Sequence, residues 1–304
     1  MPMTKVALVI LHFNEPKLTE NCLESVKKIK TQDFKVEVIV INNNPQEKIN
    51  FLKRKFPEFV FLEVKENLGF TGGNNLGIKK ALKKGTNFVL LLNNDTLIDK
   101  NLITELLEVA KNNKQAGILG PKIYFAPGYE FHQKRYQEKD RGKVIWYAGG
   151  VIDWQNIVSS HRGVDKVDHG QYALSEETGF VTGCAMFVRK EVFEKIGFFD
   201  ENYFLYLEDV DFCQRAKKAG FKIFYVPTAK LWHLNAGSSE VGGSLHDYYL
   251  TRNRLLFGFK YASVRTKLAL IRESLKILFK GSPWQKLGIR DFYLRRFGQA
   301  GFKP

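Results

Sequence analysis

Residues 88–96 read FVLLLNNDT and place a polar triplet directly after five apolar residues. Such a run is typical of a strand that is buried on both faces, as in a sheet covered by helices. Ligands of open α/β sheets bind outside the carboxyl ends of the strands, so Asn93, Asn94 and Asp95 are predicted to face a ligand. One carboxylate with flanking amides suits a divalent cation that also binds water and substrate phosphates. The alternative is an ordinary turn, which Asn and Asp also favour.

Strand and helix signals alternate on both sides of this stretch. Apolar runs at 6–11, 36–41 and 59–64 predict three more strands, and the apolar residues of 18–29 have helical spacing just after Pro16. Strands separated by helices require crossover connections. The predicted fold class is therefore α/β, with a doubly wound, mainly parallel sheet flanked by helices.

The second half of the chain gives weaker signals. Its patterns predict helices at 101–113 and 191–196, strands at 117–124, 144–151, 157–163 and 222–226, an apolar segment at 180–188 and an excursion loop at 126–142.

Composition restricts the class of protein. With 304 residues, 44% of them hydrophobic, the chain can bury a substantial core in one large or two smaller domains. The apolar run at 6–11 is too short to span a bilayer and lacks a signal-peptide cleavage pattern. Three widely spaced cysteines predict reduced, structural thiols in a cytoplasmic protein.

The stretch 67–77, NLGFTGGNNLG, forms a glycine-rich connection to the next helix. Glycines allow close approach to a ligand, and a helix starting near Gly73 would direct free N–H groups at an anion. Glycines that only cap and turn are the alternative. A nicotinamide fingerprint would follow the first strand with different spacing, so that class of enzyme is excluded.

Three carboxylates, Glu208, Asp209 and Asp211, open a predicted helix within residues 198–220. Acidic residues stabilise a first helical turn, and Asp209 would serve as an ordinary cap. Partial enclosure of this helix start would favour a carboxylate kept as a base. The enclosure is predicted from the aromatic residues Phe198, Phe199, Tyr203, Phe204 and Tyr206.

His233 ends an apolar segment and opens a Gly- and Ser-rich loop that runs to Ser244. The loop is predicted to be a flexible flap with the histidine as a ligand at its edge. A packed or hydrogen-bonded histidine is an equal alternative.

The net charge of +15 is concentrated at the end of the chain. Residues 251–304 contain 13 Lys and Arg against Glu273 and Asp291, which gives 13 − 2 = +11. Helices are predicted at 247–261 and 264–280, and the second combines an apolar side with basic residues. Such a helix can bind an anionic membrane surface. It can also pack on the rest of the chain with a solvated basic face, or pair with another subunit in a homodimer.

The charge alone would also suit a basic protein that binds nucleic acid or another polyanion without catalysis. The confinement of the charge to the C-terminal region and the lack of a nucleic-acid-binding motif argue against nucleic acid as a partner. A nucleotidyltransferase would carry a Gly- and Lys-rich phosphate loop after the first strand, which is not found.

Seven motifs between residues 5 and 260 occur in a fixed order. They are VILHFNE at 9–15, VINNNP at 40–45, ENLGFTGGNNLG at 66–77, LLLNNDT at 90–96, VTGCAMFVRK at 181–190, FLYLEDVDFCQR at 204–215 and LWHLNAGSS at 231–239. Together they resemble the inverting family 2 glycosyltransferases, in particular the rhamnosyltransferase-like enzymes of bacterial polysaccharide assembly.

The resemblance implies a GT-A-type domain at residues 1–245, with a nucleotide-binding half up to about 115 and an acceptor half from about 116. A basic amphipathic helical region would follow at 246–304. The implied activity transfers a sugar from a nucleoside-diphosphate donor, with dTDP-rhamnose the first candidate. The acceptor would be a hydroxyl of a saccharide or a lipid-linked saccharide, at the inner face of the cell membrane.

The resemblance also implies roles for individual residues. Asp95 and His233 would bind Mg²⁺ or Mn²⁺ on the donor diphosphate. Asp209 would be the catalytic base, with Glu208 and Asp211 orienting it or the acceptor. Thr182 and Gly183 would line the sugar and acceptor side, and the nucleotide would be held by Asn14, Asn42, Gly69, Asn74, Asn93 and Asn94.

Two positions depart from the family pattern. Asn42 stands where an aspartate usually accepts a hydrogen bond from the pyrimidine, which affects the choice of nucleobase. Asn93 replaces the first aspartate of the metal motif, so Asp95 is the only carboxylate of that triplet.

Overall fold

The computed structural model describes residues 3–31, 33–235 and 243–302. The strands are β1 (Thr4–His12), β2 (Phe34–Asn42), β3 (Val60–Glu63), β4 (Phe88–Asn93), β5 (Thr96–Ile98), β6 (Ala116–Phe125), β7 (Ile145–Tyr147), β8 (Gly150–Asp153), β9 (Val158–His161), β10 (Glu176–Glu177), β11 (Ala185–Arg189) and β12 (Lys222–His233). The helices are α1 (Pro16–Val26), α2 (Asn50–Lys55), α3 (Gly69–Lys83), α4 (Leu102–Asn112), α5 (Lys190–Ile196), α6 (Glu208–Lys218), α7 (Ser244–Tyr261), α8 (Val264–Lys280) and α9 (Pro283–Tyr293).

One central sheet has the strand order β10-β12-β6-β11-β4-β1-β2-β3. The four strands β3, β2, β1 and β4 are parallel, as the sequence predicts. β11 lies antiparallel between β4 and β6, while β6 and β12 pair in parallel. The second half of the sheet is therefore mixed.

The apolar strands are explained by burial on both faces of the sheet. In β1, Val6, Leu8 and Ile10 face one core cluster, whereas Ala7 and Val9 face the other. Alternate side chains of a strand point to opposite faces, so a strand covered on both sides must be apolar throughout. Polar residues are therefore found at the ends of these strands.

Most of the predicted elements are confirmed, with a few differences at their boundaries. α3 begins at Gly69, four residues before the predicted start at Gly73. β12 continues past the predicted end at 226, with a register shift between Val226 and Lys230 where Pro227 cannot donate to the ladder. α2 and α9 have no counterpart among the predicted helices. The predicted flap falls largely on residues 236–242, which lie outside the described residues.

The three cysteines, Cys22, Cys184 and Cys213, are buried and free of disulfides, as the sequence predicts. Over the described ranges, no helix is long and apolar enough to cross a membrane.

The C-terminal helix α7 is bonded to the loop that precedes α6. The fully buried Arg252 donates to the carbonyls of Asn202 (3.0 Å), Tyr203 (2.9 Å) and Gly298 (2.7 Å). Asn253, also fully buried, donates through Nδ2 to carbonyls of the same loop, at residues 203, 205 and 206. These bonds satisfy backbone groups that would otherwise be buried without partners.

We expect Arg252→Leu to lower the free energy of unfolding by about 3 kcal/mol or more, because three hydrogen bonds from a buried cation are lost. Urea denaturation followed by tryptophan fluorescence measures the change. Arg272→Leu, at an exposed side chain of α8, is the control and should leave the urea midpoint close to that of the parent. Equal midpoints for the two variants would contradict the importance of the Arg252 bonds.

Candidate active site

Asp95 and His233 are brought into contact by the pairing of two strands. β5 runs antiparallel to β12 so that Thr96 opposes His233, and Asp95 lies in the turn just before β5. The Nε2 atom of His233 lies 3.1 Å from both carboxylate oxygens of Asp95. The backbone carbonyl of Asp95 also accepts a hydrogen bond of 2.8 Å from Leu234 N–H.

The separation between these two side chains fits a bound divalent cation. Neighbouring ligands of an octahedral Mg²⁺ or Mn²⁺ ion lie about 3 Å apart when each bond is about 2.1 Å long. Among the described residues no group of three or more His, Cys, Asp or Glu side chains is arranged to hold a metal. The pair therefore suits an ion that takes its remaining ligands from water and substrate phosphates.

Asp209, at the start of α6, is held by backbone N–H groups. Its Oδ2 accepts from Gly183 N–H at 2.9 Å and its Oδ1 accepts from Val210 N–H at 2.8 Å. A Cβ atom at position 183 would lie only 2.7 Å from the Phe70 ring, so a side chain there would force Phe70 to move. Glycine at 183 therefore permits the backbone to approach Asp209.

The segment that holds Asp209 also contacts the end of β4. Cys184, next to Gly183, accepts through its carbonyl a hydrogen bond of 2.9 Å from Asn93 N–H. Asp95 follows two residues later. The structure thus brings Asp95 and His233 into direct contact and links Asp209 to them through one short backbone segment.

The two adjacent carboxyl groups at the start of α6 differ in environment. Burial, with the negative charges of Asp209 and Asp211, raises the pKa of Glu208 well above its usual value, and Glu208 Oε2 has no hydrogen-bond partner among the described residues. Burial also raises the pKa of Asp209, but the N–H groups of Gly183 and Val210 stabilise its ionised form. Ionisation is therefore disfavoured more strongly at Glu208 than at Asp209, whose carboxylate has two N–H donors.

Asp211 lies in a different network. It is fully buried, and its carboxylate pairs with Arg215 (2.8 Å) and with Lys260 (2.7 Å) of α7. The hydroxyls of Tyr261 (2.8 Å) and Tyr203 (3.3 Å) also donate to it. The pair with Arg215 lies within α6, and the contacts with Lys260, Tyr261 and Tyr203 join α6 to its structural neighbours.

Polar side chains gather at the carboxyl ends of β1, β2 and β4, where the family resemblance implies a nucleotide. Asn42 is buried; its Nδ2 donates at 2.8 Å to the carbonyl of Glu47 and at 2.8 Å to Glu63 Oε2. Its Oδ1 accepts from Asn44 N–H at 3.2 Å. Both ends of the amide are thus used within the protein, which fixes its orientation.

Two more of the predicted residues, Asn14 and Asn94, lie next to this group. Asn14 has a left-handed backbone (φ 61°), and its side-chain oxygen accepts from Asn44 Nδ2 at 2.7 Å. Asn94 Nδ2 donates to Thr19 Oγ1 at 2.9 Å.

Gly69 and Asn74 belong to the start of α3. Gly69 has φ 69°, and a Cβ atom there would lie 2.5 Å from the Phe204 ring, so only glycine fits. The N–H groups of Gly69 and Thr71 donate to Asn67 Oδ1 and to the carbonyl of Phe204. They do not form the free anion site that was predicted here. Asn74 bonds the carbonyl of Phe70 within the helix.

Thr182 is buried at the turn before β11, and its hydroxyl accepts from Cys184 N–H at 3.4 Å. It therefore belongs to the same segment as Gly183.

Two polar residues of this region were not among the predicted site residues. Asn43 is buried and donates to Asn67 Oδ1 (3.0 Å) and to the carbonyl of Gly69 (3.1 Å), which ties β2 to the start of α3. His12 is fully buried between Thr19 (2.7 Å) and Glu47 (2.9 Å), and burial lowers its pKa. Both residues lie in motifs of the family resemblance, at 40–45 and 9–15. A polar residue at the end of an apolar strand could have identified each of them as a candidate.

Two known glycosyltransferases are similar to this chain in sequence. The chain is 23% identical over 253 residues to the low-salt glycan biosynthesis hexosyltransferase Agl10 of Haloferax volcanii, covering 83% of this chain and 74% of that protein. It is 27% identical over 195 residues to the N-acetylglucosaminyl-diphospho-decaprenol L-rhamnosyltransferase of Mycobacterium tuberculosis, covering 61% of this chain and 62% of that one.

A solved structure supports the fold. GalNAc-T7, crystallised with UDP, GalNAc and Mn²⁺, matches 95% of this chain with a TM-score of 0.65 at 14% sequence identity, and the match covers 54% of that protein. The GT-A-type fold with added C-terminal helices is therefore confirmed. The model of the glycosyltransferase-like family 2 matches residues 2–247, most of the chain. The chain therefore belongs to glycosyltransferase family 2.

Proposed function

We propose that this protein is an inverting, metal-dependent glycosyltransferase that uses a nucleoside-diphosphate sugar. The observation that carries the proposal is the Asp95–His233 pair, linked to the ionisable Asp209 through Gly183 and Cys184. The Asp95–His233 pair suits a diphosphate with its cation. The carboxylate of Asp209 suits removal of a proton from an acceptor hydroxyl.

In the proposed reaction the acceptor hydroxyl donates its proton to Asp209 as its oxygen attacks the anomeric carbon. The bond from that carbon to the diphosphate breaks in the same displacement, which inverts the configuration. The transition state resembles an oxocarbenium ion. A bound Mg²⁺ or Mn²⁺ supplies positive charge that offsets the negative charge growing on the leaving diphosphate.

Glu208 is the neighbour of the proposed base. A second ionised carboxylate next to Asp209 would repel its charge and raise its pKa further. Burial raises the pKa of Glu208 well above its usual value and so disfavours its ionisation, and we assign the role of base to Asp209, whose carboxylate has two N–H donors. We assign Asp211 a positioning role, since its contacts with Lys260 and Tyr261 fix α6 against α7.

The donor and acceptor are proposed from the relatives and the local chemistry. The nucleotide would bind at the ends of β1, β2 and β4, where Asn14, Asn42 and Asn94 lie. A dTDP-rhamnose donor and a lipid-linked amino-sugar diphosphate acceptor are the first candidates, because one relative is an N-acetylglucosaminyl-diphospho-decaprenol L-rhamnosyltransferase. Such an acceptor would place the enzyme at the inner face of the cell membrane.

Family membership favours this enzyme over a polyanion-binding protein without catalysis. Screening a panel of nucleotide sugars for hydrolysis, and then for transfer, tests the proposal. No hydrolysis of any donor with Mg²⁺ or Mn²⁺ present would contradict it.

Asp209→Asn should lower the transfer rate by about 10²–10⁴-fold, because the acceptor hydroxyl loses its general base. Transfer is measured by release of the nucleoside diphosphate, and thermal unfolding checks that the fold is retained. Glu194→Gln, at a carboxylate that is 59% exposed on α5, is the matched control and should keep the parent rate. A rate for Asp209→Asn near that of the control would remove Asp209 from the role of base.

Asp95→Asn should abolish the part of nucleoside-diphosphate affinity that depends on Mn²⁺, since the ion loses its only carboxylate ligand in this pair. Calorimetric titration of dTDP and UDP with and without Mn²⁺ measures the difference. Asp209→Asn should retain the metal dependence. Metal dependence that is the same in the parent and in Asp95→Asn would exclude the assigned site.

Glu208→Gln should flatten the pH dependence of stability. The pKa of Glu208 is raised in the folded protein, so the folded state binds more protons than the unfolded state between the two pKa values. The parent should therefore lose stability as the pH rises from the ordinary glutamate pKa towards the raised one. Glutamine has no charge to bury, so this loss should be smaller in the variant. Urea midpoints of parent and variant that change in parallel as the pH rises above about 4 would contradict a raised pKa of Glu208.

A further inference from the structure

Helix α8 exposes a row of large apolar side chains, which we call the outer face of α8. The exposed fractions are 82% for Phe279, 74% for Val264, 59% for Leu268, 52% for Leu275 and 39% for Leu278. Five exposed apolar side chains on one helix exceed what single, scattered surface residues explain.

These residues occupy one side of the helix. At 3.6 residues per turn, all five fall within an arc of about 100°, together with the half-buried Ile271. The side that packs on the protein is turned away from this arc and carries the buried Leu270 and Ser274. The outer face is therefore apolar although it makes no contribution to the core.

Basic side chains border the outer face. Arg265, Arg272, Lys276 and Lys280 are exposed and lie along one edge of the arc. The only acidic residue of α8, Glu273, is turned towards α7, where it accepts hydrogen bonds of 2.7 and 2.9 Å from Arg254. The exposed side of the helix is thus apolar in its centre and positively charged at its edge.

The end of α9 extends this surface. Tyr293 is 47% exposed and its hydroxyl lies 2.8 Å from Ser274 Oγ, which places it beside α8. Leu294, 55% exposed, follows directly, and Arg295 and Arg296 are exposed as well.

We propose that the outer face of α8 binds a membrane surface that contains anionic phospholipids. The apolar side chains would enter the boundary between headgroups and acyl chains, while the bordering cations bind lipid phosphates. Tyrosine suits the same boundary, because its ring is apolar and its hydroxyl polar. The inference rests on the proposed function only in that a lipid-linked acceptor would be held at such a surface.

A second copy of the chain fits this face less well. A two-fold interface brings the same patch of both subunits together. The four bordering cations of one copy would then approach those of the other, with no acidic residue on the outer face to offset them. Anionic lipid supplies the complementary charge that a second copy lacks.

Flotation of the full chain with vesicles tests the proposal. The protein should float with vesicles rich in phosphatidylglycerol at low salt, bind phosphatidylcholine vesicles weakly, and be released from the anionic vesicles at high salt. Arg265→Gln with Arg272→Gln and Lys276→Gln should lower partitioning by about fivefold for each charge removed. Leu268→Gln with Leu275→Gln and Phe279→Gln should lower it by about tenfold or more in total.

Leu174→Gln is the matched control, because Leu174 is 77% exposed and lies far from α8 in sequence. Unchanged binding of this variant, with loss in the two triple variants, supports the proposal. Absence of parent binding, or equal binding by all variants, overturns it. A shift from dimer to monomer in the apolar triple variant, with vesicle binding retained, would identify the face as a subunit interface and would also overturn it.

Donor hydrolysis without vesicles separates this proposal from the proposed function. Both triple variants should hydrolyse donor at the parent rate, since no outer-face residue belongs to the site. Vesicle binding by a parent that hydrolyses no donor would refute the enzymatic assignment and leave the membrane surface in place.

Discussion

The hydrogen bonds from Arg252 and Asn253 to the loop before α6 are the constraint on which the active-site geometry depends. Phe204, Tyr206 and Leu207 in that loop have left-handed backbones, which cost free energy for side chains other than glycine. The donors on α7 compensate by bonding the carbonyls of residues 202, 203, 205 and 206. The loop thereby positions the start of α6 next to Gly183.

The site is built largely from backbone groups. Gly183 supplies an N–H group to the carboxylate of Asp209, and strand pairing sets Asp95 against His233. The pairing of β5 with β12 fixes the backbone beside both residues of the Asp95–His233 contact, so this contact is preorganised before substrate binds. The same logic explains Gly69, whose missing side chain lets α3 approach the loop at Phe204.

The fold was predicted from the sequence where burial imposes a strong pattern. The strands β1 and β4 are covered on both faces and therefore appear as continuous apolar runs. α9 was missed, although Ser282 and Gln285 form a capping box that marks its start. The Asp95–His233 contact joins residues 138 positions apart and was reached only through family resemblance. The network of Asp211 with Lys260, 49 residues away, leaves no local pattern and could not be predicted.

The bonds made by α7 mean that the C-terminal helices are not a detachable tail. A chain shortened before Arg252 would lose the donors that shape the backbone ahead of the base. An inactive truncated protein would then report a collapsed active site, and it would say nothing about attachment to a surface. Separating catalysis from attachment, in evolution or in design, therefore requires changes to surface side chains while the whole of α7 is kept.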